Sequence, residues 1–71
     1  MTKYSYYEFE LIDRMYDEQY AYQVIADACN RIFHDGEKVR TIRSISYAVK
    51  TIFEDPRCLD FDYWDEKGLI E

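Results

Sequence analysis

Between Ser5 and His34 the chain contains neither glycine nor proline, and the whole sequence of 71 residues has two glycines and one proline. Sandwiches and barrels need many tight turns, and these are the residues that make them. The scarcity therefore points to an all-α fold, a small helical bundle of two to three helices over residues 1–71. Apolar residues form 48% of the chain, enough for a small core, and charged residues 34%, which argues against global disorder.

The strongest periodic signal runs from Glu37 to Glu54. Val39, Ile42, Ile45, Val49, Ile52 and Phe53 recur at helical spacing and predict one apolar face. Arg40, Arg43, Tyr47 and Lys50 recur on the opposite face, as a basic stripe. Upstream, Ser5 followed by Glu8 fits a capping box and predicts a helix over about 5–16. Tyr7, Leu11 and Met15 would form its buried face, with Phe9, Ile12 and Tyr16 adjoining. Ala21, Val24, Ile25, Ala28, Cys29 and Ile32 predict a helix over 18–33. Whether residues 5–34 form one helix or two is open. The mean helix of roughly 12 residues favours a break near Asp17, which can serve as an N-cap.

His34-Asp35-Gly36 stops the second helix. Gly36 can adopt the left-handed conformation and Asp35 can cap the next helix, so a helical hairpin with a very short turn is expected over 18–54. Asp55-Pro56 ends the hairpin. In 55–71, Leu59, Phe61 and Tyr63 alternate with acids, which predicts an extended acidic-aromatic tail packed over the bundle. Leu69 and Ile70 tuck in or fray.

The formal net charge is −6, but it is unevenly spread. Residues 1–30 hold two basic and six acidic side chains, residues 31–50 five and two, and residues 51–71 two and seven. The plain reading is that both signs pair on one small surface, where exposed pairs contribute about 0–1 kcal/mol each. The functional reading takes the acidic, aromatic ends as a contact surface for a basic partner protein. Asp60, Asp62, Asp65 and Glu66 surround Phe61, Tyr63 and Trp64, of which Tyr63 and Trp64 are the expected protein-binding anchors. Glu8, Glu10, Asp13 and Asp17 accompany Tyr6, Tyr7, Phe9 and Tyr16. Small phage or mobile-element proteins that block host nucleases or defence complexes share this composition. The plain alternative is that the aromatics fill a small core or cover a homodimer interface.

A second functional reading takes the basic stripe Arg40, Arg43, Tyr47 and Lys50 as a nucleic-acid contact, the second helix of a helix-turn-helix regulator. Tyr22 to Phe33 and Thr41 to Phe53, followed by Glu54-Asp55-Pro56-Arg57, bear a faint resemblance to the helical DNA-binding region of large serine recombinases. It covers under half the chain and identifies no family. It implies DNA binding through the same stripe.

Other classes find little support. No glycine-rich phosphate loop or nucleophile beside a histidine is present, so an enzyme and a small-molecule substrate are not expected. His34 is the sole histidine, read as a capping or surface residue, and Asp60 to Asp65 lack the glycine of a calcium loop. No metal or cofactor is expected. Cys29 and Cys58 are too few for a disulfide scaffold, and Cys29 reads as a core residue. No apolar run approaches a membrane span of roughly 20 residues. A cytoplasmic location is expected.

Overall fold

The computed structural model describes residues 3–69. Met1, Thr2, Ile70 and Glu71, and with them the fate of Ile70 in the tail, lie outside the described residues. The chain is all-α: helices α1 (Tyr6–Asp17), α2 (Tyr22–Phe33), α3 (Ile42–Glu54) and α4 (Phe61–Glu66), with a 3-10 turn at Pro56–Leu59. No strand occurs among the described residues.

Ser5 caps α1, its Oγ accepting from the Glu8 backbone N–H at 3.2 Å. The reciprocal half of the expected box is absent, because the Glu8 side chain is used elsewhere. Residues 5–34 form two helices, and the break comes without a glycine. Gln19 takes a φ of +67°. Its N–H donates to Tyr16 O at 3.0 Å and that of Tyr20 to Met15 O at 3.1 Å, the paired bonds that close a helix C-terminus. Asp17 is therefore the last residue of α1, not the cap of α2. Ala21 precedes α2 without a side-chain cap.

Two expectations about the hairpin are corrected. Gly36 is left-handed as anticipated (φ +83°), but so is Asp35 (φ +53°), which caps nothing. The third helix starts at Ile42, not Glu37, because Thr41 and Ser44 form a reciprocal capping box. The backbone N–H of Ser44 donates to Thr41 Oγ1 at 3.3 Å and that of Thr41 to Ser44 Oγ at 2.7 Å. The connection is thus the loop 34–41, longer than a tight turn. Val39 mimics the helical period because it is half-buried in this loop.

The extended tail is also corrected. Asp55 caps the 3-10 turn through the Arg57 N–H (3.2 Å), and Asp60 caps α4 through those of Asp62 (3.0 Å) and Tyr63 (3.3 Å). Of the two acids that suggested strand alternation, Asp60 is the N-cap of α4 and Asp62 lies in its first turn. α4 spans six residues, too few to display a 3.6-residue period.

The core is formed by Phe9 and Ile12 from α1, Ile25, Ala26 and Cys29 from α2, Ile45, Ala48, Val49 and Ile52 from α3, and Cys58. Cys29 and Cys58 are both free and buried. Several residues assigned to apolar faces are instead exposed: Tyr7, Tyr16, Val24, Ile32, Ile42 and Phe53, the last at 68%.

A polar centre sits beside this core. Glu8 is 2% exposed and Arg40 3%. Arg40 Nε donates to Glu8 Oε2 at 2.7 Å and Nη2 to Oε1 at 2.8 Å, a bidentate pair. Nη2 also reaches Lys3 O at 3.1 Å, and the guanidinium lies 3.8 Å from the centre of the Tyr4 ring. Asn30 holds the Arg40 backbone at both ends, accepting from its N–H at 2.6 Å and donating to its C=O at 3.0 Å. His34 Nε2 is 3.0 Å from Glu8 Oε2. No buried side-chain polar atom among the described residues lacks a partner.

Glu8→Gln leaves the Arg40 charge buried without its counter-ion, and is expected to lower stability by about 3 kcal/mol. The double variant Glu8→Leu/Arg40→Met removes both charges and is expected to recover most of that loss. Urea unfolding followed by far-UV circular dichroism measures both. A second expectation concerns alkaline pH. Burial pushes the Cys29 thiol up to about 12. Its folded pKa exceeds its unfolded value, so its contribution to stability is complete below about pH 8.5 and is lost as pH rises towards 12. Cys29→Ala should therefore lose less stability than the parent chain between pH 8 and pH 10.5, read from urea midpoints.

Candidate functional site

The acidic, aromatic ends of the chain are separate in sequence and meet in the fold. Asp60 directs the chain into α4, which places Phe61 and Trp64 one turn apart, on the same side of the helix. That side packs on the start of α1. Tyr6 meets Phe61 edge-on at 5.4 Å between ring centres, and Trp64 at 6.4 Å. Trp64 also lies 6.4 Å from Phe9, and its Nε1–H donates to Cys58 O at 3.0 Å. Tyr7 stands edge-on to Tyr6 at 5.2 Å.

Tyr6 is thus the shared neighbour of two exposed aromatic residues, Tyr7 (48%) and Phe61 (44%). Glu10, Asp60, Asp62, Asp65 and Glu66 are exposed on the same two helices and the cap between them. Hydrogen bonding to the Glu10 carboxylate, with some desolvation, raises the Tyr6 phenol above its ordinary pKa, and Asp60 adds to the effect. Tyr6 is therefore the neutral centre of an acidic neighbourhood.

The expected anchors are placed differently from one another. Trp64 is half-buried and packed on the core, so it is part of the fold's own fabric. Tyr63 is half-buried, with the Arg57 guanidinium 5.2 Å and the Lys67 ammonium 5.8 Å from its ring centre. Arg57 is in turn held by Asp55, at 2.9 and 3.0 Å, and this pairing lowers the Asp55 pKa. Phe61 and Tyr7 were not among the expected anchors. The signal for Phe61 was the Asp60 N-cap, which makes Phe61 the first residue of a helix and turns it to the side of Trp64.

The basic stripe is broken. Arg40 is not on the outer face of the third helix; it precedes α3 and is buried against Glu8, because the helix begins two residues later. Arg43, Tyr47 and Lys50 are exposed on one side of α3. Lys50 Nζ lies 3.9 Å from Glu54. Arg43 and Tyr47 line an open cleft of about 330 Å³ with Val39, Thr41 and Ser44. His34 occupies the C-cap position of α2, partly buried against Glu8.

Among the described residues no cluster of three or more His, Cys, Asp or Glu could hold a metal ion, and no helix is long and apolar enough to cross a membrane. No protein-family model matches the chain, and neither a curated protein nor a solved structure matches it.

The two aromatic residues of α4 are expected to separate in stability measurements. Trp64→Ala removes a packed side chain and the part-buried hydrogen bond to Cys58 O, and should cost about 2–3 kcal/mol. Phe61→Ala loses only a partly exposed edge contact and should cost about 1 kcal/mol or less. Paired urea titrations of the two variants test the difference.

Proposed function

We propose that this chain is a non-enzymatic interaction module that docks its α1–α4 face on a basic surface of a partner protein. The observation that carries this reading is the packing of Tyr6 on Phe61 and Trp64, which joins two acidic segments into one surface. On that surface exposed aromatic area lies among exposed carboxylates and caps. Aromatics supply the desolvated anchors of an interface, and carboxylates in a ring around them steer a cationic partner and select it. Carboxylates can also take the positions of phosphates in a basic groove. The partner class is therefore a nucleic-acid-processing or defence protein, and the action inhibition by occupying its groove. A phage or mobile-element origin fits that role. Tyr7 and Phe61 are the anchors, Asp60, Asp62, Asp65 and Glu66 the steering charges, and Trp64 braces them through Tyr6.

DNA binding is the second reading. The open cleft beside Arg43 and Tyr47, with Lys50 on the same side of α3, favours it. The engagement of Arg40 by Glu8 and the length of the 34–41 loop weigh against a helix-turn-helix, whose turn is about 3–4 residues.

The test is affinity capture from a lysate of the source organism, with and without nuclease, using the parent chain and Tyr7→Ala/Phe61→Ala side by side. The expected outcome is a protein partner that survives nuclease and elutes as salt is raised. The double variant should bind it about tenfold or more weakly while remaining folded. Equal capture by the two chains would overturn the α1–α4 assignment. Recovery that vanishes with nuclease and with Arg43→Ala/Lys50→Ala would move the function to α3.

A further inference from the structure

At the other end of α1, an open cleft of about 380 Å³ is lined by Tyr16, Asp17, Gln19, Tyr20 and Tyr22. Three of these five residues are tyrosines, one is a carboxylate, and none is basic. The turn of the backbone creates it. Gln19, held left-handed, reverses the chain at the end of α1 and brings Tyr20 and Tyr22 back beside Tyr16. The Tyr16 and Tyr22 rings are 6.3 Å apart and tilted by 40°, so they form two walls at an angle rather than a closed stack. Phe53 of α3 braces Tyr16 edge-on at 5.7 Å. Tyr20 is exposed and completes the lining.

We propose that this cleft is an aromatic cage for a methylated ammonium head group. Three sources of negative potential converge on it. Ring faces carry the negative part of the aromatic quadrupole. Asp17 adds a full charge. α1 ends at Asp17, and a helix C-terminus carries the negative end of the backbone dipole. Arg14, the basic residue of the last turn, does not line the cleft. The balance of ring area to charge selects the ligand. A bare ammonium is compact and strongly hydrated, and one carboxylate replaces little of its water. A methylated ammonium is poorly hydrated and gains most from ring faces. The site is independent of the α1–α4 face and does not rest on the function proposed for it.

The probe is choline, followed through the ring protons of Tyr16, Tyr20 and Tyr22 by NMR. Its neutral isostere 3,3-dimethyl-1-butanol is the control, and Nε-trimethyl-lysine is the second cation. Choline should give saturable shifts at these three rings, and the isostere should not. Tyr20→Leu should weaken binding about tenfold, with Tyr20→Phe restoring it, and Asp17→Asn should weaken it about threefold. Tighter binding of trimethyl-lysine than of choline would assign the cage to a protein side chain, and tighter binding of choline to a free small cation. Shifts that never saturate, equal binding of the isostere, or full binding by a folded Tyr20→Leu variant would overturn the cage.

Discussion

The bidentate pair between Glu8 and Arg40 is the interaction on which the arrangement of this chain depends. Both side chains are withdrawn from water, at a desolvation cost of several kcal/mol for each ion. The pair is tolerated because its remaining valences are filled. Lys3 O and the Tyr4 ring face the guanidinium, and His34 faces the second side of the carboxylate. Its main effect is on position rather than on net stability. Arg40 lies at the end of the long loop, and Glu8 in the first turn of α1. Joining them fixes where α3 begins relative to α1, while Asn30 fixes the same point relative to α2. Three helices of a very small domain are registered through one residue. An apolar contact slides more easily than a two-pronged charged one.

That pair also sets the charge map of the surface. It takes Arg40, the first cation of the basic stripe, inside, and removes one acid from the start of α1. What is left outside α3 is a shorter basic side, part of which meets Glu54. The acids of α4 have no comparable sink. Asp60 spends one oxygen on the helix cap, and Asp62, Asp65 and Glu66 remain exposed. The molecule is therefore polarised, with its negative side where α4 covers the start of α1.

The helical character of the chain was legible from spacing alone, because long amphipathic periods are robust, whereas the division of residues 5–34 into two helices was not. Ile45, Val49 and Ile52 fall on the inner face of α3 as their spacing requires. The end of α1 was legible only as a length argument, since Gln19 carries no marker of a left-handed residue. The start of α3 was misread because Val39 continued the period, although Thr41 and Ser44 spelled the cap. The helical nature of the C-terminal segment was hidden by its brevity. Arg40 could not be placed from its type: the same residue at helical spacing serves a solvated stripe or a buried pair. Only the partner in space decides between them, and Glu8 is far away in sequence. The meeting of the two acidic ends was illegible for the same reason, because Tyr6 and Phe61 share no local pattern.

The abundance of tyrosine follows from the size of the fold. A core built from Ile, Val, Ala and Cys with one Phe leaves little interior for rings, so most rings cover helix seams with one edge wet. Tyr6 closes the seam between α1 and α4, Tyr4 the seam over Arg40, and Tyr16 the seam between α1 and α3 near Phe53. Seams end at the surface, so each of these rings is also half of a potential contact. The aromatic surface collects at the two ends of α1, about 15 Å apart along its axis. A small helical bundle thus gains recognition surfaces without a deep pocket, because the rings that seal its joints are the rings it presents.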